Sequence, residues 1–214
     1  MFMYPSIYLA SQSPRRAELL TQLGVPFELL LANPNEDVES LENHIAQESP
    51  AHYVSRVTQL KGTAAVIRLS QRAMPIKPIL TADTTVAIGG AILGKPRDAD
   101  DAARMLKLLS GRSHRVFTAV SLAYDGKMLS ALSTSKIRFT RLSAAQIDRY
   151  IETKEPFGKA GAYAIQGFAA TFIQKIEGSH SGTMGLPLFE TNQLLAAYLR
   201  SNEARTLVKP IDTN

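Results

Sequence analysis

Apolar positions along the N-terminal part of the chain predict a strand, a tight turn and a helix in quick succession. A short apolar run over residues 6–10 is followed at once by Ser13 and Pro14, the pattern of a helix N-cap with proline at the first helical position. Alanine and leucine then recur at helical spacing until Gly24, which predicts the helix end, and a second strand is expected over residues 26–31.

The rest of the chain alternates further strands and helices. The predicted elements are a helix from Tyr53 to about Ile67, a strand over residues 79–88 that turns at Gly89 and Gly90 and returns over 91–93, a helix after Asp98, strands over 116–124 and 129–140, a helix after Ser143, a strand over 172–176 and a helix over 187–199. Residues 202–214 are expected to form a polar tail. No linker or repeat interrupts the series. The predicted fold is therefore α/β, with a mixed sheet flanked by helices, in one domain over residues 1–201.

Composition limits the cellular context and the available chemistry. The 214 residues contain 45% hydrophobic and 20% charged residues, typical of a globular protein. No apolar run is long enough for a membrane span and the start does not look like a signal peptide, so we expect a cytoplasmic protein. The absence of cysteine excludes disulfides, thiolate metal sites and cysteine nucleophiles.

The net charge of +5 makes an anionic partner plausible. Nucleic-acid binders usually collect lysine and arginine on one element with interleaved aromatic residues. Here the basic residues are scattered among acidic ones, and tryptophan is absent. A small phosphate-bearing ligand is therefore the better expectation, and nucleic acid is not expected as the main partner.

Hydroxyl and basic residues cluster at the first predicted strand-to-helix turn. Ser11 and Ser13 precede the helix, and Arg15 and Arg16 lie in its first turn. Free backbone amides at a helix N-terminus bind anions, whereas cations at this end oppose the helix dipole. An anion held by the arginines explains their position, although a solvated arginine pair beside an ordinary cap would have the same sequence.

A carboxylate lies inside an otherwise apolar predicted strand. Asp83 lies within the apolar series that includes Leu80, Ala82 and Val86, and burial of its charge costs several kcal/mol unless it is paired, hydrogen-bonded or metal-bound. With Glu36 from the preceding acidic stretch, it could hold Mg²⁺ or Mn²⁺, which take carboxylate oxygens and also bind substrate phosphates. The alternatives are a strand-end carboxylate bonded to backbone amides and, for Glu36, a simple surface charge.

Two glycine-containing segments have a less specific pattern. Gly89, Gly94 and Lys95 have Walker A spacing, but Pro96 replaces the magnesium-binding hydroxyl residue and the glycines lie in a predicted hairpin, so we reject that motif. Lys95 at an exposed strand end could still bind a phosphate. Residues 159–167 combine small residues with Lys159 and Gln166, which suits close approach to a nucleotide and equally suits a structural bend.

Together these segments resemble the Maf family of nucleotide pyrophosphatases. The matching segments are residues 8–16, 83–86, 92–98, 109–111, 159–167 and 185–188. The resemblance implies an α/β fold with an elongated sheet and two lobes around a central cleft, similar to inosine triphosphatases, and often a homodimer. It also implies hydrolysis between the α and β phosphates of a nucleoside triphosphate.

The resemblance assigns roles to individual residues. It implies that Asp83 is catalytic and that Asp83 and Glu36 bind the divalent metal, Mg²⁺ or Mn²⁺. Substrate binding is implied for Ser11, Ser13, Arg15, Arg16, Lys61, Thr84, Lys95, Lys159 and Gln166. The chain departs from the family pattern at Gly62, where alanine usually follows the lysine, and at Asn35, where an acid is common.

Within the family, the arginine pair together with Thr84 and Gln166 resembles the branch that prefers dTTP and UTP, including modified uridine nucleotides. The branch that prefers 7-methyl-GTP usually has tryptophan after the Ser-Pro pair, and this chain has none. A pyrimidine nucleotide is therefore the expected substrate. The other hypotheses are a 7-methyl-GTP pyrophosphatase and a nucleotide-binding regulator of septum formation without turnover.

Overall fold

The computed structural model describes residues 4–207 and contains a seven-stranded sheet flanked by helices. The strands are β1 (Ile7–Leu9), β2 (Phe27–Leu29), β3 (Ile79–Ile88), β4 (Ala91–Leu93), β5 (Ser113–Tyr124), β6 (Lys127–Phe139) and β7 (Ile173–Glu177). The helices are α1 (Pro14–Gln22), α2 (Pro50–Gln71), α3 (Ala99–Leu109), α4 (Ala144–Glu152), α5 (His180–Met184) and α6 (Leu188–Leu207). Short 3₁₀ helices cover Ser40–Glu42, Ala160–Ala162 and Phe168–Phe172.

The sheet is mixed, as the sequence predicted. Its main order is β2-β1-β3-β5-β6-β7, and β4 pairs with β3. β1 runs parallel to β2 and β3, whereas β3, β5, β6 and β7 form an antiparallel series and β4 is antiparallel to β3. The α/β class with parallel and antiparallel pairs is therefore confirmed.

One side of β3 has a gap in strand pairing, which leaves the centre of the strand open to side chains of the site. On that side, β1 pairs with β3 only at Ile79 and Leu80, and β4 pairs with it only over residues 86–88. Residues 81–85 lie between the two pairings, while β5 pairs with them on the other side. Side chains from both faces of β3 can therefore reach the same opening at this edge.

The two faces of the sheet have different coverings. Alternate β5 residues such as Phe117 and Ala119 pack with Val57 of α2 on one face. Val120 and Leu122 face the other way and pack with residues of α1 and α6, including Leu20 and Leu195. Farther along that second face, α3 and α4 cover another apolar cluster built around Val86, Phe139 and Tyr150. Asp83 and Thr84 consequently face opposite sides of the sheet.

Some boundaries differ from the sequence prediction. α6 continues to Leu207, so the first part of the expected polar tail is helical, and residues 208–214 lie outside the described residues. α5 was not predicted, because its five residues include Gly182 and carry no helical apolar repeat; the Ser179 side chain caps it by accepting from the Gly182 amide. Among the described residues, no helix is both long and apolar enough to cross a membrane.

Candidate active site

A cavity of about 510 Å³ opens at the gap along β3. Its walls come from the start of α1, the centre of β3, the loop after β4, residues 158–166 and the end of α5. All the residues for which the sequence suggested substrate binding line this cavity, namely Ser11, Ser13, Arg15, Arg16, Lys61, Thr84, Lys95, Lys159 and Gln166. Asp83 lines it as well.

Lys61 joins two carboxylates at the α2 side of the cavity. Its Nζ donates to Asp83 Oδ1 at 2.6 Å and to Glu42 Oε1 at 2.7 Å. Lys95 Nζ lies 3.5 Å from the other Glu42 oxygen. Burial opposes ionisation of Glu42, but the charges and hydrogen bonds of Lys61 and Lys95 outweigh it and lower the pKa of that carboxyl. Both acids are thus held close to one ammonium group.

This arrangement accounts for the carboxylate inside the apolar strand. Asp83 is buried, and its side chain points to the α2 face, where Lys61 supplies the opposite charge. The ion pair offsets the desolvation of Asp83. Asp83 is therefore held by a lysine rather than by a turn of backbone amides, which was the other interpretation of the sequence.

Glu36 lies outside this cluster. Its carboxylate accepts from Arg68 Nε at 2.8 Å and from the Asn33 amide at 3.0 Å, and Arg72 Nη2 lies 3.6 Å away. The hydrogen bond from Arg68 is the main cause of its lowered pKa. Glu36 does not line the cavity, so the structure does not bring it together with Asp83; the carboxylate that shares Lys61 with Asp83 is Glu42.

Glu42 gave no recognisable signal in the sequence. It belongs to a short 3₁₀ turn within an acidic, irregular stretch, where several carboxylates have equivalent surroundings in the sequence. Only the packing of this turn against α2 selects Glu42. Tyr53 contributes to that packing, because its hydroxyl donates to the Glu42 backbone carbonyl at 2.9 Å.

Arg16 crosses the other face of the gap and contacts three acceptors. Its Nε donates to the Gly185 carbonyl at 2.8 Å, Nη1 donates to Ser11 Oγ at 3.1 Å, and Nη2 lies 3.5 Å from Thr84 Oγ1. Burial lowers the pKa of Arg16, and the charges of Asp83 and Glu42 partly oppose this change. The guanidinium is thus fixed at the cavity wall rather than solvated.

The helix start around Arg16 has the features of an anion site. Ser13 has extended backbone at the N-cap of α1, and no side-chain cap bond is formed there. Its amide instead donates to Ser11 Oγ at 3.2 Å. Arg15 follows Pro14 in the first turn and also lines the cavity. Pro14 has no N–H, and the Arg16 amide donates to the Ser13 carbonyl at 3.2 Å, so the two guanidinium groups rather than a row of free amides favour a bound anion here.

Residues 158–166 form the opposite wall and carry Lys159 and Gln166. Burial lowers the pKa of Lys159, and the nearby charge of Arg15 lowers it further. The Gly161 amide donates to the Gly94 carbonyl at 3.0 Å, and Gly161 has φ +70°. A Cβ at this glycine would lie 2.9 Å from a methyl group of Val86, so close packing on β3 requires glycine here.

A buried histidine also holds this wall. His114 Nε2 lies 2.8 Å from the Tyr163 hydroxyl, and both side chains pack edge-to-face on Phe139. Burial lowers the pKa of His114 to about 4, so the ring is neutral near pH 7. His114 thus holds Tyr163, a residue that lines the cavity.

The departure at Gly62 has a packing explanation. Gly62 faces the sheet from α2, and a Cβ added there would lie 2.8 Å from the terminal methyl of Met128. The glycine thus accommodates the methionine of β6 while Lys61 keeps its contact with Asp83. The change from the usual alanine is compensated by the neighbouring side chain.

The fold and the cavity define a binding site for a small polyanion, with two carboxylates and several cations around one cleft. The Maf-like protein family matches residues 6–198, and the chain belongs to the Maf family. The resemblance seen in the sequence is thereby confirmed.

Curated relatives share this sequence over nearly their whole length. The chain is 59% identical over 194 residues to the dTTP/UTP pyrophosphatase of Ralstonia nicotianae, and the aligned region covers 90% of this chain and 94% of the relative. It is 58% identical over 193 residues to the dTTP/UTP pyrophosphatase of Cupriavidus pinatubonensis, which covers 90% and 96%. Among solved structures, the Staphylococcus aureus Ham1 protein matches with a TM-score of 0.48 and 11% identity over 92% of this chain and 100% of the other.

Proposed function

We propose that the protein is a nucleoside triphosphate pyrophosphatase that hydrolyses dTTP and UTP to the nucleoside monophosphate and pyrophosphate. The observation that carries this proposal is the Asp83–Lys61–Glu42 cluster facing the arginines of α1 across one cavity. Membership of the Maf family supports the reaction class, and the dTTP/UTP pyrophosphatases among its relatives support the choice of nucleotide.

The acidic side of the cavity fits a divalent cation. Asp83 and Glu42 each place one oxygen within hydrogen-bonding distance of the same nitrogen, so the two carboxylates are close neighbours. Mg²⁺ is usually bound by one or two carboxylates together with substrate phosphates and water. In the part of the chain that the structure describes, no group of three or more His, Asp or Glu side chains could hold a metal ion, so phosphate and water oxygens would have to complete its coordination. We propose Asp83 and Glu42 as the protein ligands.

The reaction follows from the arrangement of charge. A bound Mg²⁺ or Mn²⁺ would stabilise the negative charge that develops on the phosphate oxygens. Asp83 accepts the proton of the attacking water, which adds to the α phosphorus. The bond from that phosphorus to the bridging oxygen breaks, and pyrophosphate leaves. Lys61 orients both carboxylates through its two short hydrogen bonds.

The basic residues bind the leaving group. Arg15 and Arg16 at the start of α1 and Lys95 after β4 neutralise the β and γ phosphates, which holds them as one unit. Lys159 contributes from the opposite wall. With the β and γ phosphates held by these cations, we expect the α phosphorus to lie near Asp83, so that water enters at the α position.

Recognition of the base is assigned to the wall formed by residues 158–166. The Gln166 amide both donates and accepts, as the edge of uracil or thymine requires, and Thr84 adds an acceptor oxygen at the cavity. An assay with each NTP and dNTP, resolving the monophosphate from pyrophosphate, tests the proposal. Preferred turnover of dTTP and UTP supports it, whereas preferred turnover of 7-methyl-GTP or binding without turnover contradicts it. The cytoplasmic location and the homodimer stay predictions.

A further inference from the structure

A buried threonine lies directly behind the Arg16 site. Thr118 of β5 is 1% exposed and does not line the cavity. It is the cross-strand partner of Thr84 on β3, and the two hydroxyl oxygens are 3.0 Å apart. Its Oγ1 is also 2.7 Å from the Gly182 carbonyl oxygen of α5. The Thr118 hydroxyl thus connects β3, which carries Thr84, to α5, which precedes Gly185.

The directions of these hydrogen bonds follow from the chemistry of the groups. A carbonyl can only accept, so Thr118 must donate its single hydroxyl proton to Gly182. In the contact with Thr84, Thr118 therefore accepts and Thr84 donates. The Thr84 hydroxyl proton then points away from the cavity, and its oxygen lone pairs remain available to Arg16 Nη2 at 3.5 Å.

This chain of hydrogen bonds sets two of the three Arg16 contacts. It orients the Thr84 oxygen that faces Nη2, and it ties down α5, whose C-terminal Gly185 accepts from Arg16 Nε at 2.8 Å. Without the Thr118 hydroxyl, the Thr84 proton would be free to turn toward the guanidinium. The Gly182 carbonyl would also lose its side-chain donor.

We propose that Thr118 is a positioning residue for Arg16, which fixes the guanidinium that binds the triphosphate although Thr118 touches no substrate. The proposal rests on the proposed function, in which Arg16 holds the leaving phosphates. It predicts that loss of the Thr118 hydroxyl impairs the enzyme only through Arg16.

A double-mutant cycle with Arg16→Ala tests this dependence. Thr118→Val removes the hydroxyl while keeping the shape, and we expect it to lower kcat/KM for UTP about tenfold in the wild-type background but less than twofold in the Arg16→Ala background. Thr118→Ser keeps the hydroxyl and should stay within about twofold of wild type. If Thr118→Val does not fold, as judged by circular dichroism, Thr118→Ala gives the same comparison.

A matched control is Thr58→Val on α2. Thr58 is a fully buried threonine whose hydroxyl donates to the Val54 carbonyl at 2.7 Å and lies 3.5 Å from the Ala119 carbonyl, on the α2 face of the sheet, whereas Arg16 lies on the α1 face. Its effect should be equal in both backgrounds. An equal effect of Thr118→Val in both backgrounds, or a Thr118→Ser variant as impaired as Thr118→Val, would overturn the proposal.

Binding of inorganic tripolyphosphate, measured by calorimetry, separates this proposal from the proposed function. If the protein does not hydrolyse UTP but Thr118→Val weakens tripolyphosphate binding only when Arg16 is present, the pyrophosphatase assignment fails and the positioning role stands. If Arg16→Ala changes neither hydrolysis nor tripolyphosphate binding, the positioning role is refuted, because Arg16 then holds no phosphate.

Discussion

Glu42→Gln should lower activity with little loss of stability, whereas Glu36→Gln should lower stability with little loss of activity, because the two glutamates bind different partners. Glu42 lines the cavity with Lys61 and Asp83, whereas Glu36 does not line it and pairs with Arg68, which does. Each substitution keeps the size of the side chain and removes its charge. Stability and turnover, measured on the same two variants, therefore tell a metal ligand from a structural ion pair.

The structure sets the expected magnitudes. The Arg68 side chain is only 5% exposed, and removal of one partner from a buried ion pair costs about 3–5 kcal/mol. Glu36 is 27% exposed, so water relieves part of the loss, and we expect Glu36→Gln to lower the free energy of unfolding by about 2 kcal/mol. Its kcat/KM should stay within about tenfold of wild type.

Glu42→Gln should behave in the opposite way. Glu42 is 32% exposed and the amide oxygen can still accept from Lys61, so the free energy of unfolding should change by less than about 1 kcal/mol. Loss of a metal-binding charge should lower kcat/KM for UTP about 100-fold and raise the Mg²⁺ concentration needed for half-maximal rate.

Urea unfolding and a pyrophosphate-release assay at several Mg²⁺ concentrations measure both quantities. A Glu36→Gln variant that is fully stable yet inactive, together with a Glu42→Gln variant of nearly normal activity, would refute the assignment of Glu42. The metal-binding carboxylate would then be Glu36, as the resemblance to the family implied.

Three further outcomes follow from the site and its supports. Asp83→Asn should keep the fold by circular dichroism and lose at least about 100-fold in kcat, and activity within a few-fold of wild type would exclude Asp83 as the base. Lys95→Ala should raise KM for UTP about tenfold by removing one charged contact to phosphate, and unchanged kinetics would show a solvated lysine. Burial lowers the pKa of His114 from 6.5 to about 4, so between these pH values the unfolded chain binds a proton that the folded protein excludes. Urea titrations should therefore show the free energy of unfolding falling by up to about 3 kcal/mol from pH 7 to pH 4. In His114→Gln, this part of the pH dependence should be absent.

Most of the fold could be predicted because its signals are local. The β3–β4 hairpin follows from its Gly89-Gly90 turn, and the capping box of Ser143 and Gln146 marks the start of α4. The helix α5 escaped prediction because its five residues carry no helical apolar repeat, and its hydrogen bond from Thr118 of β5 depends on the tertiary fold. Elements held mainly by tertiary contacts leave little trace in the sequence pattern.

The site residues also differ in whether a local sequence signal reveals them. Asp83 could be identified because a carboxylate within an apolar strand needs a partner, and the arginines of α1 because cations oppose the helix dipole at that end. Glu42 and Thr118 could not, since their roles arise from which segments pack together. Glu42 is one acid among several in an irregular stretch, and Thr118 resembles any threonine in a buried strand.

Hydrolysis of UTP in ¹⁸O-labelled water tests the central claim most directly. Attack at the α phosphorus places the label in UMP, so mass spectrometry should find labelled UMP and unlabelled pyrophosphate, with the same result for dTTP. The Asp83→Asn variant serves as the negative control, because it should incorporate almost no label. Label in orthophosphate together with UDP, or label found only in pyrophosphate, would contradict the account even if UTP is consumed.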